Sequence, residues 1–182
     1  VVTAHLPIPA SPLNSESLPK RRNKEKPTSI ALVVNQNEIF YRLRMPWIRL
    51  LRENGYEVFA VVASGAWNEL IEAGGASYVE WKLSRSGCNP FAEVGAVIGL
   101  TRILRRLRPD ILQNLHTKPN IYAPVAARLA GVPLTVSTVT GLGYTFVDRT
   151  GPGSRIARRL NLGMYRFANR FAAEVAFQNP DD

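Results

Sequence analysis

Three short segments of this 182-residue chain bring together residue types that can do chemistry. His116-Thr117-Lys118-Pro119-Asn120 offers an imidazole, an ammonium and a side-chain amide. Thr140-Gly141-Leu142-Gly143-Tyr144 joins a hydroxyl and a phenol across two glycines, and Asn35-Gln36-Asn37-Glu38 supplies amides, with Arg42 and Arg44 shortly after. An imidazole at a strand end can hydrogen-bond a sugar hydroxyl or a charge developing in a transition state; it can equally cap a helix or pack. Cations desolvated in a cleft hold anionic oxygens, whereas on an open rim they are merely solvated. Gly141 and Gly143 either keep a loop slim beside a ligand or permit a positive φ. Cys88 has no assured histidine partner and reads as a spectator. No Cys/His cluster has metal-ligand spacing.

For the three segments to meet, the elements between them must deliver them to one edge. Ser29–Asn35 is a run of β-branched and aliphatic residues, a strand, and Phe40–Glu53 sets Leu43, Trp47, Leu50 and Leu51 at helical spacing before Asn54-Gly55. Glu57–Ala63 is a second strand, Trp67–Ala73 a short helix, and Ser77–Leu83 a third strand. Asn89 caps a helix that begins at Pro90 and runs to about Arg106. Asp110–Leu115, Leu134–Val139 and Glu174–Gln178 complete the strands, with helices Asn120–Ala130 and Gly153–Ala173 between them. This alternation predicts an α/β protein, a Rossmann-like doubly wound parallel sheet of order 3-2-1-4-5-6. Strands 1 and 4 are then neighbours, and the loops after strands 1, 4 and 5 open on the crevice where such sheets bind ligands. A dinucleotide is excluded, because no G-x-G-x-x-G follows strand 1.

The last helix sets Ile156, Leu160, Met164, Phe167 and Phe171 on one stripe beside Arg155, Arg159, Arg166 and Arg170. The stripe reads as core packing. The arginines form either a solvated face or one that lies on anionic lipid headgroups.

Composition narrows the partners. The chain is 46% hydrophobic and 20% charged, enough for one sizeable core. Lys and Arg total 23 against 14 Asp and Glu, a net +9 that suits phosphate-bearing ligands, anionic membrane surfaces or nucleic acid. None of the usual nucleic-acid-reading motifs is present, so no nucleic-acid partner is expected. The longest apolar stretches, Ile30–Val34 and Ala92–Leu100, fall far short of the ~20 residues that cross a bilayer. One cysteine makes no internal disulfide and favours a reducing compartment. Residues 1–27, with five prolines and no apolar period, read as a disordered leader without the pattern of a secretory signal, leaving 28–182 as one domain. An α/β protein continues with a helix after such a last strand, so the chain is expected to be one domain of a longer protein.

As an ordered series these segments resemble the N-terminal half of a GT-B glycosyltransferase of family 4. The type is the bacterial one that extends polyprenyl-diphosphate-linked glycans for capsule, lipopolysaccharide or glycoprotein. The resemblance spans about residues 29–182. It is carried by Phe40-Tyr41-Arg42-Leu43-Arg44-Met45-Pro46, Leu83-Ser84-Arg85-Ser86-Gly87-Cys88-Asn89-Pro90, Arg108-Pro109-Asp110-Ile111, and the segment from His116 to Tyr122. Ala126–Pro133, Val139–Tyr144 and Gln178–Asp182 complete it.

The resemblance implies two Rossmann-like domains across a cleft, the first holding the acceptor and the second the nucleotide-sugar, with only the first present. It implies a retaining hexosyl- or N-acetylhexosaminyltransferase that uses no cofactor, its nucleotide-sugar donor being a substrate. Its partners would be that donor, a polyprenyl-diphosphate-linked sugar acceptor and an anionic membrane surface. Its location would be cytoplasmic, peripheral on the inner face of the bacterial plasma membrane. His116 falls where the family has a histidine lining the donor sugar near the reacting carbon, and is the catalytic candidate. Asn35, Asn37, Arg42, Arg44, Arg85, Lys118, Asn120, Thr140, Gly141, Gly143 and Tyr144 form the substrate-binding set, with Arg44 and Lys118 on phosphate oxygens. Arg42 departs from the Asn that relatives often carry. This domain alone would transfer no sugar. The reading from another class is a non-catalytic basic domain that docks a partner or an anionic membrane.

Overall fold

The computed structural model describes residues 26–83, 90–140 and 152–178. The expected leader lies outside them apart from Lys26 and Pro27. Six strands form one parallel sheet: β1 (Ser29–Val34), β2 (Glu57–Val62), β3 (Ser77–Glu80), β4 (Ile111–Leu115), β5 (Leu134–Val139) and β6 (Glu174–Phe177). Their order is β3-β2-β1-β4-β5-β6, as the alternation predicts. Between them run α1 (Asn37–Glu53), α2 (Asn68–Ala73), α3 (Pro90–Leu107), α4 (Thr117–Ala130) and α5 (Pro152–Asn169).

β1 is buried along its whole length, which its unbroken run of small and β-branched residues permits. Ile30, Leu32 and Val34 pack with Phe40, Met45, Ile48 and Leu51 of α1 and with Ile71 of α2. Ala31 and Val33 point to the other face, against Leu100 and Leu104 of α3 and Ala123, Ala126 and Ala127 of α4. A clasp at the start of the central pair holds β1 and β4 in register. The Ser29 N–H and hydroxyl both donate to the Asp110 carboxylate at 2.9 Å, and the Asp110 N–H donates to the Ser29 carbonyl at 3.1 Å. That clasp accounts for Asp110 in the Arg-Pro-Asp-Ile segment. It sets Ile30 opposite Ile111 and Val33 opposite Asn114, so β1 and β4 end side by side.

Several element ends differ from expectation. α1 and α4 both begin three residues early, at Asn37 and Thr117, so each helix starts almost at once after its strand. α5 stops at Asn169, short of the expected Ala173. The larger differences concern which helical face is inward. In α1, Leu43, Trp47 and Leu50 are exposed while Phe40, Met45, Ile48 and Leu51 are buried. In α5, Leu160, Met164 and Phe167 were expected in the core but lie open, 63%, 43% and 54% exposed, and Tyr165 and Ala168 are the buried pair. Each helix has apolar residues around more than half its girth, and periodicity cannot choose between two apolar flanks.

Gly131 closes α4 with φ +77, a left-handed cap that glycine adopts without penalty. Truncating Leu112, fully buried between β4 and the α3–α4 layer, should cost about 2–5 kcal/mol as Leu112→Ala. Leu129→Ala, on the exposed flank of α4, should stay within about 0.5 kcal/mol. Urea unfolding of both variants checks this, and equal losses would contradict the layer assignment.

Candidate functional site

The order of strands reverses between β1 and β4, and their C-terminal ends carry the residues of interest. β4 ends at Leu115, α4 begins at Thr117, and the single residue between them is His116. That one-residue turn forces φ to +72° and ψ to 166°, a conformation almost reserved for glycine that costs a side-chain-bearing residue on the order of 1–3 kcal/mol. Retaining it needs a brace, and the neighbours supply one. Asn114 Nδ2 donates to Asn120 Oδ1 at 2.6 Å and to Ser137 Oγ at 3.0 Å, and Asn120 Nδ2 donates to the Thr138 carbonyl at 2.9 Å. The Asn120 backbone N–H also returns to the His116 carbonyl at 2.9 Å.

Held this way, the imidazole sits against β5. Its Nδ1 lies 2.9 Å from the Thr140 hydroxyl, and its Nε2 is buried without a partner. Burial, helped by the nearby positive charge of Arg44, holds the His116 pKa below its ordinary value. The ring is therefore neutral around pH 7 and offers one unused hydrogen-bonding function at Nε2. Arg44, half-buried on α1, is likewise lowered by burial, and its Nε has no partner. The Asn35 Oδ1, just beyond β1, is also buried and unpartnered. Among the described residues a donor, an acceptor and an imidazole nitrogen thus stand unsatisfied at the β1/β4 switch point, where buried polar groups are ordinarily paired. Such an arrangement can receive an anionic oxygen at Arg44 and hydroxyl or carbonyl groups at Asn35 and His116.

The remaining expected residues divide. Lys118 does not stand free for a phosphate. Its ammonium pairs with Glu93 of α3 at 2.7 Å, both side chains being mostly buried, so its charge is already compensated. Glu93, whose Oε2 is buried without a partner, was not among the expected residues; its place in the first turn of a helix opening at Pro90 is the one signal it carries. Asn120 is fully buried with its amide engaged on both sides, which makes it a brace rather than a ligand contact. Asn37 and Arg42 lie on the rim. Asn37 Nδ2 donates to Asn68 Oδ1 at 3.3 Å, and Arg42 pairs with Glu38 at 3.0 Å. Arg85, Gly141, Gly143 and Tyr144 fall outside the described residues. Among the described residues no cluster of His, Cys, Asp and Glu could hold a metal ion. A cavity of about 530 Å³ lined by Arg105, Arg108, Asp110 and Gly131 lies at the opposite end of the sheet, beside the C-termini of α3 and α4.

Residues 29–179 match the family model described as glycosyl transferase 4-like. Among curated proteins, the N,N'-diacetylbacillosaminyl-diphospho-undecaprenol alpha-1,3-N-acetylgalactosaminyltransferase of Campylobacter jejuni is 28% identical over 139 residues, 76% of this chain and 37% of its own length. Among solved structures, MurG of Acinetobacter baumannii matches with a TM-score of 0.57 at 16% identity, over 85% of this chain and 42% of its own. A UDP-N-acetylglucosamine 2-epimerase matches equally, with a TM-score of 0.57 at 14% identity, over 83% of this chain and 42% of its own. This chain therefore spans less than half the length of each of these proteins. The likeness to the two solved structures is one of fold.

The strained turn gives a stability test. His116→Ala keeps the backbone cost and His116→Gly removes it, so the glycine variant should be the more stable of the two by about 1 kcal/mol or more. The pH dependence follows from the lowered pKa. The unfolded chain takes up its proton near pH ~6.5, before the folded chain does, so stability is level above that pH and falls as pH drops below it. Melting temperatures from pH 7.5 to 5 should therefore decline more steeply in the unmodified protein than in His116→Gly.

Proposed function

The chain belongs to the glycosyl transferase 4-like family, its sheet one half of a GT-B fold, and from that premise we propose that it is the acceptor-binding domain of a retaining glycosyltransferase. The enzyme would move a hexosyl or N-acetylhexosaminyl group from a nucleotide-sugar to a saccharide carried on a polyprenyl diphosphate, in synthesis of a surface polysaccharide or glycan. The observation that carries this reading is the set of unpartnered buried atoms, Asn35 Oδ1, Arg44 Nε and His116 Nε2, at the switch point. The name of the Campylobacter relative supports a lipid-linked acceptor.

In this reading Arg44 holds a phosphate oxygen in a partly desolvated setting, where a charge-assisted contact is strong. His116, oriented by Thr140 and by its strained backbone, meets the sugar next to the bond that breaks, and its neutral ring contributes a hydrogen bond without repelling Arg44. The nucleotide-sugar is a substrate, and no cofactor is required. Most contacts to it would come from residues beyond these 182, given relatives more than twice as long, so this piece alone should turn over no nucleotide-sugar.

The acceptor lipid implies work at a bilayer, and α5 is the element fitted to it. No described helix is long and apolar enough to cross a membrane. At about 100° per residue, Leu160, Met164 and Phe167 form one stripe of α5, and Arg159 and Arg166 a second about a third of a turn away, with Arg170 continuing it past the helix end. The leucine, methionine and phenylalanine are exposed, and so are all three arginines. Apolar groups beside cations suit the boundary between headgroups and acyl chains of an anionic membrane, a peripheral site on the cytoplasmic face.

Two measurements test these assignments. In the complete enzyme, Arg44→Gln and His116→Gly should each lower kcat/KM by about 10²-fold while the protein stays folded; wild-type rates in both would remove the site from the reaction. In liposome sedimentation, replacing Arg159, Arg166 and Arg170 by Gln should weaken binding to anionic vesicles by roughly 10²-fold, at about 1 kcal/mol per cation. Raising salt should weaken the unmodified protein as well.

A further inference from the structure

Beside the crevice, the C-terminal loops of β1 and β2 build a second surface of different chemistry. Trp67, at the start of α2, is half-buried; the Tyr41 ring lies 5.0 Å from it, tilted by 31°, and the Arg42 guanidinium lies 5.3 Å from its ring centroid. Arg42 is itself held by Glu38 at 3.0 Å, so two adjacent residues of α1 brace the indole and the local charge is compensated. Next to it runs a polar chain across both loops. Asn37 Nδ2 donates to Asn68 Oδ1, and Asn68 Nδ2 donates to Ser64 Oγ, each at 3.3 Å. Gly65 makes the crossing possible, because a Cβ there would fall on the Asn37 amide.

We propose that this ledge of Trp67, Asn37, Ser64 and Asn68 is a subsite for an uncharged sugar ring of the acceptor, one removed from the ring at the crevice. It rests on the acceptor-binding reading above and deepens it. The ledge lacks what an anion needs, since Arg42, its one cation among the described residues, already has a carboxylate. It has what a sugar needs: an immobilised aromatic surface for the C–H face of the ring, and amide and hydroxyl groups for its hydroxyls or acetamido group. The Asn37 Oδ1 accepts no hydrogen bond among the described residues, and the Ser64 side chain is exposed. Because β1 and β2 are adjacent, the ledge begins about one strand spacing, ~4.8 Å, from Asn35. A saccharide with its phosphate at Arg44 would cross that distance within one ring. Fixing the indole beforehand also lowers the ordering cost of binding.

The test compares the complete enzyme with its Trp67→Ala, Trp67→Phe and Asn37→Ala variants, using the disaccharide lipid N,N'-diacetylchitobiosyl-diphospho-undecaprenol as acceptor and UDP-N-acetylgalactosamine as donor. Trp67→Ala should raise the acceptor KM about tenfold and leave the donor KM unchanged, with Trp67→Phe recovering most of the loss and Asn37→Ala giving a smaller rise. A rise in the donor KM would give the indole to the nucleotide and overturn the proposal, as would an unchanged acceptor KM. If the unmodified enzyme does not use this pair, the transfer reading fails on those substrates, and the ledge is read separately by saturation-transfer NMR with N,N'-diacetylchitobiose. The disaccharide should receive saturation from the unmodified protein, lose most of it with folded Trp67→Ala, keep most of it with Trp67→Phe and show a smaller loss with Asn37→Ala. Signals equal in all variants, or absent from the unmodified protein, would overturn the subsite.

Discussion

Asn114 and Asn120 flank His116 in sequence, and the joining of their side-chain amides is the constraint on which the site rests. The pair ties β4 to the first turn of α4 and, through Ser137 and Thr138, both to β5. Each hydrogen bond contributes only about 1 kcal/mol net, but a buried amide N–H left unpaired costs about 1–3 kcal/mol, so the three bonds made by these N–H groups reinforce one another, although the Asn114 Oδ1 is itself unpartnered. That cooperativity offsets the backbone strain at His116. It also fixes where α4 begins, and hence where Lys118 meets Glu93 and how far the imidazole stands from Thr140. A ring on a relaxed loop would turn toward solvent; this one is kept in a dry place with one nitrogen free.

The sheet was readable because its physics is written in runs. A central strand buried on both faces is apolar throughout, and its neighbours alternate with helices whose stops are glycine, asparagine and proline; order then follows from handedness. The switch point was readable for the same reason, since it depends on order alone, and so the ends of β1, β4 and β5 could be singled out. What lay beyond reach was anything set by side-chain direction. Asn120 read as a ligand contact because it belongs to the polar segment after the fourth strand, yet a helix starting at Thr117 turns it inward. Glu93 gave almost no signal, because its partner lies on another helix. The positive φ of His116 follows from the abrupt strand-to-helix turn, which sequence patterns locate only to within a few residues. The faces of α1 and α5 were misjudged where two apolar flanks adjoin, a case in which only the packed neighbour decides.

The matched fold does not by itself choose a reaction. A MurG and a sugar-nucleotide epimerase share it equally with this chain, and function on such a scaffold is set by the groups at the strand ends. Here those groups separate by charge. The crevice carries an arginine with no carboxylate partner among the described residues, beside a neutral histidine, while the neighbouring ledge pairs its arginine with Glu38 and offers an indole and amides. An anionic group and an uncharged ring would therefore sort themselves along the same edge, phosphate toward Arg44 and sugar toward Trp67. A substrate carrying both is the simplest ligand consistent with the two halves.

The electrostatics of the crevice also respond to its occupant. Two causes lower the His116 pKa, burial first and then the positive charge of Arg44. An anion seated on Arg44 cancels the second cause, leaves the first in place, and adds an attraction of its own for a protonated ring. The imidazole therefore becomes more basic on binding, without any movement of the chain. By reciprocity, a proton on His116 tightens the anion by the same factor.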